Sequence, residues 1–564
     1  MTSVIPEGSQ ASPGTVTGPQ AAEERHAAVY RPTTVTTSRI RRTAILVGVL
    51  AAAAMLARLF LGGTVGMADN YDGHRLTCQL DVIVHDPDTR AAFEYVSTRY
   101  DEHKWYGEVC GSGGEVYAST ARYLLLAAKT LTPLFGYAGA LDLRVLGVLC
   151  ALLFGAATAL LYVALPLRTW LRGLVTVLLA AATLDSVVAL YFISPLNESA
   201  AVVGLVFTLA MMFRVVRGPQ ARWGDLLGLT FCALFTVLAK TQMATVVIAV
   251  LPVMLLRGVK LPWRKKLPEP SGDGGLSRAV RGAVRRLPAI ALALVLAAST
   301  GAYASAKPTW FQEMYNYHQV FVEMLPHSPT PEQDLVELGL PPRFVEHTGT
   351  RLNGSGLTWS QDYRIFYDQV DTPQLMGFYA RHPERLIGMA DRGMVGMING
   401  RASYLGNYPE GTGNAPYAKD CRVCLISGAY HLAKPVRWIV FPLLWGGSLG
   451  LGLWIATRRR INPGLRGTGV VLASVTLATL AQFWAVMFSD GSNDLDKHMV
   501  FAWYGTALLP GLLLAALVAL EQAARPVSGL AGVPGQPGTV PAKSGARPQL
   551  PSPAQEGPHA GSGA

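Results

Sequence analysis

The sequence predicts an all-α polytopic membrane protein with about ten transmembrane helices and two extracytoplasmic segments. Three observations predict it. Half of the 564 residues are apolar and only 15% are charged, against ~25% charged in a soluble protein. The mean hydropathy is +0.29, and the apolar residues fall into uncharged runs near the ~20 residues that cross a bilayer. The cations gather in alternate connections between those runs. A soluble globule would have to hide such runs from water, and a disordered chain has too few apolar residues to form them.

Residues 1–42, rich in Ser, Thr, Pro, Gly and Ala, read as a disordered cytoplasmic tail. Arg39, Arg41 and Arg42 lead into the first span, 43–63, whose apolar stretch is too long for a cleaved signal peptide. Further spans are expected at 142–164, 173–194, 199–216, 225–239, 241–257, 287–304, 436–456, 466–488 and 498–520. The two flanking Lys240 are short, and one long tilted helix is the alternative. That alternative would invert everything after it, and the charges favour ten spans. The loop 258–286 then lies inside with Lys260, Arg264, Lys265, Lys266, Arg278, Arg281, Arg285 and Arg286 against Glu269 and Asp273. Arg168, Arg172, Arg214, Arg217, Arg458, Arg459 and Arg460 fall on the same side. The first outer loop, 64–120, is acidic instead. The net charge of +11 is therefore a topological signature, and no nucleic-acid partner is implied. The expected setting is the cell (plasma) membrane, with the bilayer as partner and both termini cytoplasmic.

This divides the chain into a membrane bundle at 43–304, an extracytoplasmic domain at 305–435, the last three membrane helices within 436–522 and a disordered cytoplasmic tail at 523–564. Val116 to Leu134 reads as an amphipathic helix on the membrane surface. Of the six cysteines, Cys150 and Cys232 fall in spans. Cys78, Cys110, Cys421 and Cys424 fall outside, an even number on the oxidising face, which suggests two disulfides with three possible connectivities. The Cys421-Arg-Val-Cys424 pair has the spacing of half a zinc site, but no second pair matches it.

The residues able to carry chemistry converge on the outer face. Directly after the first span stands Asp69-Asn-Tyr-Asp72-Gly-His-Arg75. A carboxylate there suits proton removal from an acceptor hydroxyl, and the guanidinium suits a phosphate. The plain structural alternative is a solvated loop start, because two aspartates three apart are common. Asp185 lies inside a span, where charge is costly and faces a partner or a cavity. Asn197 and Glu198 reach the outer rim, although a carboxylate at a helix start also suits the dipole. Lys240 sits at the apex of two spans and Lys497-His498 opens the last one, either as interfacial anchors or as anion ligands.

Several segments in this order resemble a known group. They are Asp69-Asn-Tyr-Asp72, Leu184-Asp185-Ser with Tyr191-Phe192 and Glu198-Ser-Ala, Ala239-Lys240-Thr-Gln242, and Tyr317-His-Gln-Val-Phe321. Asp334-Leu-Val-Glu-Leu-Gly-Leu340, Phe378-Tyr-Ala-Arg-His382-Pro383, Tyr404-Leu-Gly-Asn-Tyr408 and Asp496-Lys-His498 complete the series. The chain resembles the GT-C-type integral membrane glycosyltransferases, in particular the bacterial hexose transferases of cell-surface glycan synthesis. Ile193-Ser-Pro-Leu-Asn before Glu198 and the four outer cysteines depart from that pattern.

The resemblance implies inverting transfer of a hexose from a polyprenyl-phosphate sugar to a glycan or glycolipid acceptor. Asp72 or Asp69 would be the base. Arg75, Lys240, Lys497 and His498 would hold the donor phosphate, and Asp185, Asn197, Glu198 and His382 the remaining substrate. A divalent cation is compatible with the scheme but not demanded by it. Three other functions stay open: a lipid or glycan flippase, a ligase or polymerase of lipid-linked glycans, and a non-catalytic scaffold.

Overall fold

A computed structural model describes residues 34–85, 93–104, 117–260, 275–306, 309–458, 461 and 463–524. Cys110, most of both tails and 261–274 of the basic loop lie outside the described residues. The long helices are α1 (Thr34–Phe60), α2 (Ala121–Leu131), α3 (Leu143–Ala164), α4 (Thr169–Leu184) and α5 (Glu198–Val216). There follow α6 (Trp223–Val237), α7 (Val246–Leu256), α8 (Gly275–Ser305), α9 (Thr309–His318), α10 (Thr372–Arg381) and α11 (Pro383–Asn399). The last are α12 (Leu425–Ala433), α13 (Arg437–Thr457), α14 (Pro463–Met487) and α15 (Val500–Ala524).

Seven of the described helical segments are long and apolar enough to span a membrane: those of α1, α3, α5, α8, α12 with α13, α14 and α15. Several begin earlier than the sequence suggests, among them α1, α8 (Gly275 against 287) and α12 with α13. No Gly or Pro separates Thr34 from Arg42, so the first helix extends back into the expected tail. Lys434–Val436 tightens to a 3₁₀ turn without breaking the run from Leu425. The expected span 173–194 is a pair, Thr169–Leu184 and Ser186–Ile193, bent by 52° and counted as one span only when taken together. The expected spans either side of Lys240 are present as apolar helices too short to qualify.

The all-α expectation needs one correction. Val82–Val84 (β1), Arg99–Glu102 (β2) and Leu141–Asp142 (β3) form a small antiparallel sheet in the order β1-β2-β3. The β-branched run Val82-Ile-Val84 suits a pleated surface. The surface helix expected over 116–134 is shorter: α2 runs from Ala121 to Leu131 and a 3₁₀ turn follows to Phe135, with Ala121, Leu125 and Ala128 buried and Tyr123 and Leu126 exposed, while Val116 lies outside the described residues.

Small residues let the helices approach closely. A Cβ built on Gly155 of α3 would stand 2.5 Å from the carbonyl oxygen of Gly48 on α1, and one on Gly48 would stand 2.8 Å from that of Gly155. Gly452 of α13 and Gly469 of α14 repeat the arrangement. Gly155→Val therefore overpacks a backbone crossing and should cost about 1–3 kcal/mol. Thermal unfolding in detergent should show the loss for Gly155→Val and not for Gly173→Val, where a Cβ meets nothing within 4 Å.

At one end of the bundle arginines tie helix termini together. Arg217 donates to the Val163 carbonyl at 3.0 Å, Arg214 pairs with Asp225 at 2.8 Å, and Arg257 donates to Pro463. The candidate site lies among the opposite helix ends.

Candidate functional site

The loop leaving α1 is clamped before it reaches its aspartates. The Met67 amide donates to Ile193 at 3.1 Å, that of Ala68 to Gly406 at 3.1 Å, and the Asn407 side chain to the Gly66 carbonyl at 3.1 Å. The turn itself is strained. Asn70 and Tyr71 have φ of 57° and 59°, left-handed values that cost a non-glycine residue roughly 1–2 kcal/mol. The Asp69 carboxylate accepts from the Tyr71 amide at 2.9 Å, which holds the turn. Gly73 packs so closely on the Pro195 ring that no Cβ fits there. The result aims Asp72 into a cavity of about 590 Å³.

Seven of the sequence-selected residues line that cavity: Asp72, Arg75, Asn197, Glu198, Lys240, Lys497 and His498. They come from the α1 loop, the α5 N-terminus, the α6–α7 connection and the turn before α15. Lys497 is buried and ion-paired with Asp72, Lys240 meets Glu198 at 2.6 Å, and Arg75 lies 3.7 Å from Asp72. Arg75 also lies over the rings of Phe311 and Trp310, at 5.6 and 5.8 Å.

Burial pushes the Asp72 carboxyl up, but the charges of Lys497 and Arg75 overcome it and hold the group at about 2. Burial lowers the Lys497 ammonium, and Asp72 with Glu198 more than restores it, to above its ordinary value. Asp69 stands outside the cavity lining. Its other oxygen accepts from Tyr100 at 3.1 Å, and burial raises its carboxyl. Of the two candidate bases, Asp72 is the one that faces the cavity.

Two expected substrate ligands are placed elsewhere. Asp185 is fully buried at the break after α4. Its oxygens accept from the amides of Val187, Ile426 and Ser427 at 3.0–3.1 Å, so it caps the short helix after the break and the start of α12. That explains its depth in the bundle without a ligand. His382 pairs with Glu337 at 2.8 Å, away from the cavity lining, and this hydrogen bond raises its pKa.

The cysteine expectation resolves in part. Cys421 and Cys424 are bonded to each other, Cys78 is disulfide-bonded, and Cys150 and Cys232 are free thiols. No group of three or more His, Cys, Asp or Glu among the described residues is arranged to hold a metal ion.

The cavity also holds groups that the sequence reading did not select. Asp490 accepts from His318 at 2.6 Å and pairs with His498 at 2.9 Å. Burial pushes its carboxyl up, and the two imidazoles hold it well below the carboxylate range. His318 closes α9 just before a π-helical turn, Gln319–Met324, a feature frequent at functional sites. Arg351 bridges to Asp494 at 3.0 Å, and Tyr117, Tyr303, Phe311 and Tyr315 supply aromatic walls. The polar run Ser489-Asp-Gly-Ser-Asn-Asp494 between two apolar helices was the available signal for Asp490.

Set against known families, the sequence matches the YfdI N-terminal transmembrane domain over residues 32–520. The chain belongs to that family. The match runs from the start of α1 almost to the end of α15, so every cavity residue lies within it. Membership makes the chain a multi-pass membrane protein, in agreement with its apolar helices. No curated protein and no solved structure matches the chain.

Proposed function

We propose that the chain is a GT-C-type membrane glycosyltransferase that moves a hexose from a polyprenyl-phosphate donor to a glycan or glycolipid acceptor. The observation that carries this reading is the cavity itself. At one end of an apolar bundle it joins an ionised carboxylate, the buried Lys497 with Lys240 and Arg75, a His–Asp–His cluster and aromatic walls. Its volume of about 590 Å³ falls in the ~300–1,000 Å³ range of small-molecule sites.

The chemistry follows from what each group can do. The acceptor hydroxyl oxygen attacks the anomeric carbon from the face opposite the phosphate, and its proton passes to Asp72. The bond from that carbon to the phosphate oxygen breaks with its electron pair. Charge then grows on the departing polyprenyl phosphate, and Lys497, Lys240 and Arg75 stabilise it where it grows. A second, more open cavity of about 410 Å³ shares Arg351 and Asp494 with the first. It presents Asn399, Ser403, Tyr404, Ser492 and Asp496, groups suited to the hydroxyls of an incoming glycan. The arginines at the other bundle end favour placing the cavity on the extracytoplasmic face.

An intramembrane carboxylate such as Asp185 would suit a flippase, but Asp185 caps two helices instead and lends that alternative no support. The test is a transfer assay on purified protein with labelled polyprenyl-phosphate hexoses and membrane glycan as acceptor. Label should reach the acceptor. Movement of the lipid across vesicles without transfer overturns the reading, and transfer only of preassembled oligosaccharide makes the chain a ligase.

A further inference from the structure

Among the described residues, four carboxylates line the first cavity, those of Asp72, Glu198, Asp490 and Asp494, and four Lys and Arg cations, those of Arg75, Lys240, Arg351 and Lys497. The lining is therefore neutral whenever its two imidazoles are neutral. Three of the carboxylates are paired with these cations: Asp72 with Lys497 and Arg75, Glu198 with Lys240, and Asp494 with Arg351. Asp490 differs. It is buried, and its ion-pair partners among the described residues are His318 and His498. A donor phosphodiester brings one more negative charge. A charge taken out of water without a counter-charge is costly, and a site escapes that cost by changing a protonation state.

The hydrogen bonds distinguish the two imidazoles. His318 gives its Nδ1 proton to Asp490 at 2.6 Å, and its Nε2 accepts from the Leu352 amide at 3.4 Å. A backbone amide can only donate, so a proton on that Nε2 would set two donors face to face. His498 has Nε2 on Asp490 at 2.9 Å and Nδ1 on the Gln242 side-chain nitrogen at 3.0 Å. A side-chain amide can turn over, which puts its oxygen where its nitrogen stood and makes it an acceptor for an Nδ1 proton. The His498 side chain also keeps 18% of its surface exposed, against 4% for His318.

We propose that His498 takes up a proton at Nδ1 as the donor phosphate enters the cavity, so that donor binding is proton-coupled. This rests on the glycosyltransferase reading and deepens it. The Nδ1 lone pair takes the proton from water, Gln242 turns its oxygen to that proton, and the Nε2 proton stays on Asp490. The charged groups around His498 are Asp490 with His318, Lys497 and Asp494 of its own turn with Arg351, the Lys240–Glu198 pair beside Gln242, and Asp72 with Arg75 from the α1 loop. The tyrosines of the wall are uncharged near neutral pH. With the phosphate added, the imidazolium restores the balance. Transfer then preserves it, because Asp72 is neutralised as the departing phosphate gains its second charge.

The experiment titrates full-length protein in nanodiscs with the polyprenyl-phosphate forms of glucose, galactose and mannose. These phosphodiesters keep one charge throughout, whereas bare polyprenyl phosphate itself titrates near ~6. Calorimetry in buffers of different ionisation enthalpy counts the protons bound per donor, and affinity is followed from about pH 5 to 8, where an imidazole changes charge. Bound phosphate favours the protonated ring, so affinity is highest at the acid end. Wild type should take up as much as about one proton, and its affinity should fall by up to about tenfold per pH unit on the alkaline side. His498→Gln, which can still donate to Asp490, should take up none and give a flat profile. Asp490→Asn should also be flat, for the opposite reason: its lining already carries the spare positive charge. Its affinity at the alkaline end should match or exceed that of wild type, which structural damage does not produce. His318→Gln should keep the uptake. The inference is overturned if wild type binds a donor without taking up a proton, if uptake survives in His498→Gln or is lost in His318→Gln, or if Asp490→Asn keeps the wild-type profile. Failure to bind any of the three donors at any pH overturns the glycosyltransferase reading, and the inference with it.

Discussion

If the proposed transfer is the reaction, Asp72→Asn should lower it by at least ~10²-fold, the low end of a general-base contribution, and leave donor binding unchanged or tighter. The substitution keeps the size of the side chain and removes its ability to take a proton. The direction of the binding effect follows from the ion pair: Lys497 loses its carboxylate partner and becomes more available to the donor phosphate. Glu198 remains among the charges that stabilise the ammonium, so the variant should still fold. Wild-type Asp72 is held at about 2, so its protonation cannot limit transfer anywhere near neutral pH. Asp69→Asn is the comparison. Asp69 lies behind the turn, bonded to Tyr71 and Tyr100, and its loss should act through the shape of that turn, with a smaller effect. Near wild-type turnover in Asp72→Asn with none in Asp69→Asn would move the base to Asp69. Little change in either would remove carboxylate base catalysis from the proposal.

Much of this site was legible in the sequence because topology alone collects it. Once the apolar runs and the cation pattern are read, Asp72, Glu198, Lys240 and Lys497 fall at helix ends on one side, and helix ends on one side of a bundle are neighbours. Asp185 misled for a related reason. A carboxylate deep in an apolar run signals a partner, but the partners are backbone amides of α12, residues about 240 positions away that no local pattern connects to it. The shortness of the two helices flanking Lys240, α6 and α7, was legible, but the bend after Leu184 escaped. Hydropathy registers how apolar a segment is and not whether its helix is continuous. His318 and Asp490 lie 172 residues apart, and only the fold joins them.

Lys497→Ala should weaken donor binding and slow transfer together, in contrast to Asp72→Asn. A charge-assisted hydrogen bond to a phosphate is worth about 1.5–3 kcal/mol, so donor affinity should fall roughly 10- to 100-fold, with a further loss in turnover because leaving-group charge grows beside the missing ammonium. The same substitution has a second, independent signature at Asp72. Burial acts upward on that carboxyl, and Lys497 is the strongest charge opposing it, ahead of Arg75 and Lys240. Without Lys497 the pKa of Asp72 must rise. Transfer by the variant should then be lost as pH falls through this higher value, in a range where wild type still has an ionised base. The stability contribution of the depressed pKa has the same sign: it is present above the unfolded value and lost as pH falls, and it should shrink in the variant. Under the proposed mechanism the pairing would also give Lys497 a part in timing. In the proposed reaction, donor phosphate arriving at Lys497 would compete with Asp72 for the ammonium and so make the carboxylate more basic when an acceptor hydroxyl needs deprotonation. Titrating transfer activity against pH for wild type and Lys497→Ala, with donor affinity measured alongside, tests both effects. An unchanged affinity would remove Lys497 from the phosphate site. An acid limb that does not move would show that Asp72 is not the group whose ionisation transfer requires.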